Sequence, residues 1–129
     1  MKASPRAIAN TAFLAIFSRL RALLEPYAAR LTVAADAPDH YCLALDYSPK
    51  FKKSFPVAWV KIGKVYVSYH FMPIYMFPHL RAGLSKMLLA RMQGKSCFNF
   101  KELDEPLFVE LAQITTEGFA ASRKSGVAH

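Results

Sequence analysis

Two segments of this sequence, residues 67–75 and 93–100, combine chemically useful side chains with residues that build a core. Their polar and reactive members are Tyr69, His70, Ser96, Cys97 and Asn99. A thiol close to an imidazole is the pairing that activates a cysteine nucleophile, and the same groups also hydrogen-bond ligands. Neither segment has the full spacing of a familiar catalytic or cofactor motif. Ligand binding is therefore expected in preference to covalent catalysis, and no cofactor is expected.

Three other chemistries receive less support from the spacing. His40 and Cys42 share one strand face, but no second ligand pair follows at zinc-site spacing, so a metal site is not expected. Residues 93–96 read Gln-Gly-Lys-Ser, but they lack the upstream glycine of a phosphate loop and lie between a helix and a strand in the wrong order. The acidic residues concentrate around 102–110, where the dipole of a helix beginning there explains them.

Length and composition indicate one globular domain spanning residues 1–129, with a core over about 7–122 and a tail at 123–129. The chain is 53% hydrophobic and 20% charged, which is enough to bury a core. Its longest apolar runs fall short of the roughly 20 residues that cross a bilayer, so no membrane association is expected. Only two cysteines are present, which favours a reduced, cytoplasmic protein.

The formal net charge is +8, which suits anionic partners. The basic residues are spread along the chain, and no predicted helix has a densely basic face. Direct nucleic-acid binding is therefore disfavoured, and a small anionic ligand is the preferred partner.

Hydrophobic periodicity predicts an α+β fold. The predicted helices cover residues 7–24, 79–92 and a C-terminal stretch capped by Asp104. The predicted strands cover residues 31–35, 40–47, 55–62, 64–72 and 96–100. A turn at Gly63 joins two of these strands into a hairpin. The expected architecture is a two-layer one, with an antiparallel sheet packed by the N-terminal, middle and C-terminal helices.

Alternation along the strands separates a face turned to the helices from an open face. The residues predicted on the open face are His40, Cys42, Asp46, Trp59, Lys61, Tyr66, Ser68, His70, Cys97 and Asn99. From this region we select six candidate ligand-binding residues: Trp59, Lys61, Tyr66, His70, Lys95 and Asn99. The aromatic pair would stack, the two lysines would meet negative charge, and the imidazole and the amide would orient a small anionic or aromatic ligand. The alternative is an ordinary solvated face.

An uncharged segment at residues 72–78 is the second candidate surface. It is expected as an irregular apolar connection, either buried as a wall of the core or exposed as a homodimer or protein-interaction interface. The candidate interface residues are Met72, Ile74, Tyr75, Met76 and Phe77.

Residues 66–75, Tyr-Val-Ser-Tyr-His-Phe-Met-Pro-Ile-Tyr, and residues 91–100, Arg-Met-Gln-Gly-Lys-Ser-Cys-Phe-Asn-Phe, resemble the bacterial YdhG-like domain group. The resemblance covers about residues 40–119 and implies a small α+β fold without an established activity. The wider group includes proposed frataxin-like iron chaperones, which use an acidic ridge on the first helix and adjoining strand. Here the first helix carries Arg6, Arg19 and Arg21 against Glu25, so iron carriage is a disfavoured alternative.

Overall fold

The structure, a computed structural model, describes residues 11–45, 52 and 55–125. In this part of the chain a six-stranded antiparallel sheet is combined with five α-helices, which makes the fold α+β as predicted. The helices are α1 Thr11–Leu24, α2 Met72–Met76, α3 Pro78–Ala82, α4 Lys86–Leu89 and α5 Glu105–Ser125, with a 3₁₀ segment at Glu25–Arg30. The strands are β1 Thr32–Ala37, β2 His40–Ala44, β3 Pro56–Ile62, β4 Val67–Phe71, β5 Met92–Gln93 and β6 Cys97–Phe100.

The strands are ordered β1-β2-β3-β4-β6-β5, so β4 lies inside the sheet with β3 and β6 as neighbours. The predicted hairpin is confirmed: β3 and β4 pair from Ile62 opposite Val67 onward, and the Gly63 N–H donates to the Tyr66 carbonyl at 2.8 Å across the turn. Every pairing is antiparallel, so directly opposed residues lie on the same face. This register determines which side chains share the site.

One face of the sheet is buried beneath α1 and α5. Tyr69, at the centre of β4, is fully buried, and its hydroxyl hydrogen-bonds Thr115 of α5 at 2.5 Å. Phe71 and Phe119 meet edge to face at 5.3 Å between ring centroids, as do Phe100 and Phe108 at 5.0 Å. The inward residues predicted on α5, which are Leu107, Leu111, Ile114 and Phe119, are all buried.

Two arginines of α1 tie that helix to the rest of the fold. Arg19 makes a two-point contact with Glu105 at the start of α5, with Nε–Oε2 and Nη2–Oε1 distances both 2.9 Å. Arg21 pairs with Glu25 at 2.9 Å and with Asp36 of β1 at 2.8 Å, and it also lies 4.3 Å above the Tyr41 ring. The arginines of α1 thus engage the acidic side chains near this helix.

The predicted helix over residues 79–92 is wrong, because the chain breaks there into α3 and α4. Gly83 ends α3, and the Ser85 hydroxyl caps α4 by accepting from the Leu88 N–H at 3.1 Å. Ser85 is itself held by Glu110 of α5, whose carboxylate accepts from its N–H at 2.8 Å and its hydroxyl at 2.7 Å. Met87 of α4 is 69% exposed.

Several other boundaries also differ from the predictions. The segment expected as an irregular connection forms α2, with Pro73 in the first turn, where a missing N–H costs no helical bond. Strand β4 begins at Val67, three residues after its predicted start, so Val65 lies outside it and is 51% exposed. Helix α5 continues through Ser125, so its last three residues belong to the stretch assigned to the tail. The predicted strand end at 46–47 and the predicted helix start at 7–10 lie outside the described residues.

The short strand β5 was not predicted, because two residues are too few to show alternation. None of the helices in residues 11–45 and 55–125 has the length and apolar character needed to cross a membrane.

Candidate functional site

The face of the sheet away from α1 and α5 is the open face, and the register sorts its side chains into two rows. The first row crosses β2, β3, β4 and β6 through His40, Lys61, Ser68 and Asn99. The second crosses the same strands and ends on β5, through Cys42, Trp59, His70, Cys97 and Gln93. Within the described residues these are the open-face positions predicted from alternation, except that Tyr66 precedes β4 and lies in neither row and that β5 adds Gln93. Asp46 lies outside the described residues.

An aromatic pair forms the centre of the open face. Trp59 of β3 stacks on His70 of β4, with ring centroids 4.5 Å apart and ring planes 12° from parallel. Tyr66, which was predicted to stack on the ligand together with Trp59, lies before the start of β4. Both stacked rings are half-buried, so the pair retains exposed surface for a ligand.

A hydrogen-bonded polar chain runs beside the aromatic pair. The Asn99 Oδ1 accepts from the Ser68 hydroxyl at 2.9 Å and from the Cys97 thiol at 3.4 Å, and the Asn99 Nδ2 donates to the Gln93 Oε1 at 2.6 Å. The Cys97 Sγ also lies 3.5 Å from the His70 Nε2, which joins the chain to the stacked pair. These contacts fix the orientation of the Asn99 amide, so the network is already organised.

Burial governs the ionisation of the central groups. It lowers the pKa of His70, and the nearby His40 lowers this pKa further by like-charge repulsion. Burial raises the pKa of the Cys97 thiol, an effect that hydrogen bonding to Ser68 partly opposes. The pair therefore favours a neutral thiol beside a neutral imidazole, whereas a cysteine nucleophile needs a lowered thiol pKa. The geometry suits recognition better than nucleophilic attack.

A polar groove borders the open face where β5 meets the end of α4. It has a volume of about 230 Å³ and is lined by Tyr66, Arg91, Gln93 and Asn99, together with Ala90 and Met92. The Asn99 N–H donates to the Arg91 carbonyl at 2.9 Å, which holds the arginine backbone against β6. The sequence reading missed Arg91 because it assigned this residue to a helix.

The six predicted ligand-binding residues are only partly brought together. Trp59, Lys61, His70 and Asn99 share the open face, and Tyr66 meets Asn99 in the polar groove. Lys95 lies in the turn before β6, with its Nζ 5.5 Å from the centre of the Tyr75 ring. The Phe71 N–H bonds the carbonyl of neighbouring Ser96 at 2.9 Å, so this turn adjoins the end of β4 opposite Tyr66. Strand β4 is five residues long, so the end near Tyr66 and the end near Lys95 are roughly 17 Å apart.

The five candidate interface residues divide between core and surface. Ile74 is 2% exposed and belongs to the core, and Met72 and Phe77 are partly buried. Tyr75 and Met76 are exposed, at 54% and 38%. An interface on α2 would therefore use these two side chains and not the whole segment.

A groove of about 630 Å³, larger than the polar groove, is separate from the open face. It lies between α3 and the end of α5 and is lined by Phe77, His79, Leu80, Glu117 and Lys124, with Ala120 and Ala121. Its two charged side chains have opposite signs, so the lining selects neither an anion nor a cation. It brings together none of the predicted ligand-binding residues.

Across residues 11–45, 52 and 55–125, no group of three or more His, Cys, Asp or Glu side chains is placed to hold a metal ion. Comparison with models of protein families, with curated proteins and with solved structures found no match in any of the three.

Proposed function

We propose that this protein binds a small anionic ligand carrying a planar ring on the open face of its sheet. One observation carries the proposal: the Trp59–His70 stack borders a fixed hydrogen-bonding chain on a face whose described strand residues include no acidic side chain. In the described strands the only acidic side chain is Asp36, and it is paired with Arg21 of α1, on the helical side. A face so composed attracts negative charge and offers aromatic contact.

The ring of the ligand would pack against the exposed parts of the stacked pair. Aromatic contacts of this kind contribute about 0.5–1.5 kcal/mol beyond the area they bury. The amide of Asn99 and the neighbouring Gln93 are fixed before binding. Little conformational freedom is then lost when they orient a polar edge of the ligand.

The anionic group would meet Lys61, which lies within the first row, and Arg91, which adjoins Asn99 at the end of that row. Lys61 opposes Ser68 in the register, and Arg91 adjoins Asn99 through the backbone bond. Neither cation has an ion-pair partner among the described residues. Arg91 also lines the polar groove, which supplies the concave surface that a small ligand requires.

A fluorescence titration tests this function, because Trp59 is the only tryptophan of the chain. Phenyl phosphate, benzoate and adenosine monophosphate are the ring-bearing anions to titrate, with inorganic phosphate as the ringless comparison. We expect saturable quenching by at least one ring-bearing anion and binding of inorganic phosphate at least about tenfold weaker. Absence of saturation by all three up to about 10 mM would contradict the proposal.

Calorimetry on two double variants separates the aromatic contribution to binding from the contribution of the positive charges. Replacing Trp59 and His70 together by Ala should weaken binding of the best probe at least about tenfold, as should replacing Lys61 and Arg91 together. Lys86→Ala, which alters an exposed side chain of α4 outside the proposed site, is the matched control and should leave affinity unchanged. Affinity retained by both double variants would place the ligand elsewhere.

Two alternatives remain predictions. A homodimer would use exposed Tyr75 and Met76, and light scattering at high protein concentration distinguishes it from a monomer. Iron carriage, implied by the resemblance to the YdhG-like group, requires stoichiometric iron binding that neutral replacements of acidic residues abolish.

A further inference from the structure

A second groove, here called the basic groove, lies at the opposite end of β4 from the polar groove. It has a volume of about 230 Å³ and is lined by Ile74, Tyr75, Pro78, Arg81 and Lys95. Ile74 is buried and Tyr75 is 54% exposed, so an apolar floor lies beside an accessible phenol ring. The groove therefore offers both packing surface and charge.

The positive charge of the basic groove is not neutralised within the described part of the chain. Arg81 and Lys95 come from different elements, α3 and the turn before β6, yet line the same small volume. Neither forms an ion pair with a described carboxylate. Two cations held close together repel each other, and a bound anion would relieve that repulsion.

The backbone fixes the turn that carries Lys95. Gly94 has a φ of +74°, a conformation that glycine adopts without strain, and it sets the turn that carries Lys95. The Phe71 N–H anchors the same turn through the Ser96 carbonyl at 2.9 Å. The Lys95 ammonium lies 5.5 Å from the Tyr75 ring centre, a cation–π contact that keeps it over the groove.

We propose that the basic groove is a second ligand site, for a small oxyanion with an apolar body, such as a carboxylate or a phosphate monoester. The planar guanidinium of Arg81 suits two-point contact with the oxyanion, and Lys95 adds a compact charge. Tyr75 and Pro78 flank the apolar body. The site shares no lining residue with the polar groove, so it stands or falls independently of the function proposed for the open face.

Nuclear magnetic resonance of the full chain tests the basic groove directly. Phenyl phosphate and benzoate are titrated separately into ¹⁵N-labelled protein, which also shows whether a phosphate monoester or a carboxylate binds better. We expect saturable shifts of the backbone amides at residues 75–77 and 94–96. Shifts confined to residues 59–61 and 68–70 would report the open face alone and would overturn this proposal, as would no saturation up to about 10 mM of either probe.

Charge variants then test the assignment. Arg81→Ala combined with Lys95→Ala should weaken binding at the basic groove at least about tenfold, because charge-assisted hydrogen bonds are lost. Arg81→Lys should fall between the wild-type protein and the double variant, because it keeps the charge and loses the two-point geometry. Lys86→Ala is the control and should not change affinity. All substituted side chains are exposed, so the fold is expected to persist, and unchanged affinity in the double variant would refute the site.

Discussion

Cys97 shows how much a single residue depends on its surroundings. Its thiol donates to Asn99, contacts His70 and is influenced by Ser68, while burial raises its pKa. Ser68 is the one neighbour that lowers this pKa, so its hydroxyl favours the thiolate. The thiol on the open face is therefore sensitive to a single neighbouring hydroxyl.

Replacing Ser68 by Ala should raise the pKa of Cys97 further and slow its alkylation. Because the thiolate is the reacting form, a higher pKa leaves less of it at any pH below that pKa. The rate of Cys97 alkylation at pH 8 should therefore be lower in the Ser68 variant than in the wild-type protein. Mass spectrometry after reaction with iodoacetamide measures Cys97 and Cys42 separately.

The pKa of Cys42 is raised by burial alone, which makes this thiol the internal control. Its alkylation rate should be the same in the wild-type protein and the Ser68 variant. An alkylation rate of Cys97 that is unchanged or higher in the Ser68 variant would show that Ser68 does not stabilise the thiolate.

The sequence predicts which face of the sheet a side chain occupies where alternation along a strand determines that face. His40, Trp59, Ser68 and Cys97 lie on the open face because antiparallel pairing preserves a period of two. Lys95 could not be placed in this way, because a turn set by the positive φ of Gly94 directs it. The position of Arg91 beside the open face could not be predicted, because it depends on the neighbouring strand β5, which is too short to leave a periodic signal.

Helices and strands likewise divide into those that the local sequence determines and those that depend on contacts between distant residues. The long helices α1 and α5 and the hairpin of β3 and β4 follow from periodicity and turn residues within the sequence. The break between α3 and α4 depends on a contact made only in the folded chain, since Glu110 of α5 holds Ser85. A helical pattern over residues 79–92 cannot reveal a partner 25 residues away.

One buried hydrogen bond couples the central strand to the last helix. Tyr69→Phe should leave the Thr115 hydroxyl unpaired in the core and lower the free energy of unfolding by about 1–3 kcal/mol. Thr115→Val, a change of similar shape, should also destabilise because it leaves the tyrosine hydroxyl unpaired. The double variant should lose less than the sum of the two, since no orphaned hydroxyl remains. Urea unfolding of all four proteins measures this coupling, and strict additivity would exclude it.

At the scale of the whole molecule, both candidate sites depend on how closely α5 packs against the junction of β4 and α2. Gly118 of α5 is buried at that contact, and a Cβ there would overlap the Phe71 ring and lie 3.0 Å from the Pro73 Cβ. Phe71 follows His70 of the open face, and Pro73 precedes Ile74 of the basic groove. The absence of a side chain at one helical position therefore supports the geometry on both sides of the junction.

Gly118→Ala should destabilise the protein, although alanine is the better helix former by about 1 kcal/mol. Overpacking a core costs about 1–3 kcal/mol, and here the obstruction comes from a buried ring and a proline with little room to move, so we expect a net loss of about 1–2 kcal/mol in urea unfolding. Gly83→Ala is the matched control, because its nearest neighbour would be the Leu80 carbonyl at 3.8 Å and its φ of −89° suits any residue. That variant should stay within about 0.5 kcal/mol of the wild-type protein. Equal or greater stability of the Gly118 variant would mean that α5 can move away from the sheet freely, and the two sites could not then owe their geometry to this contact.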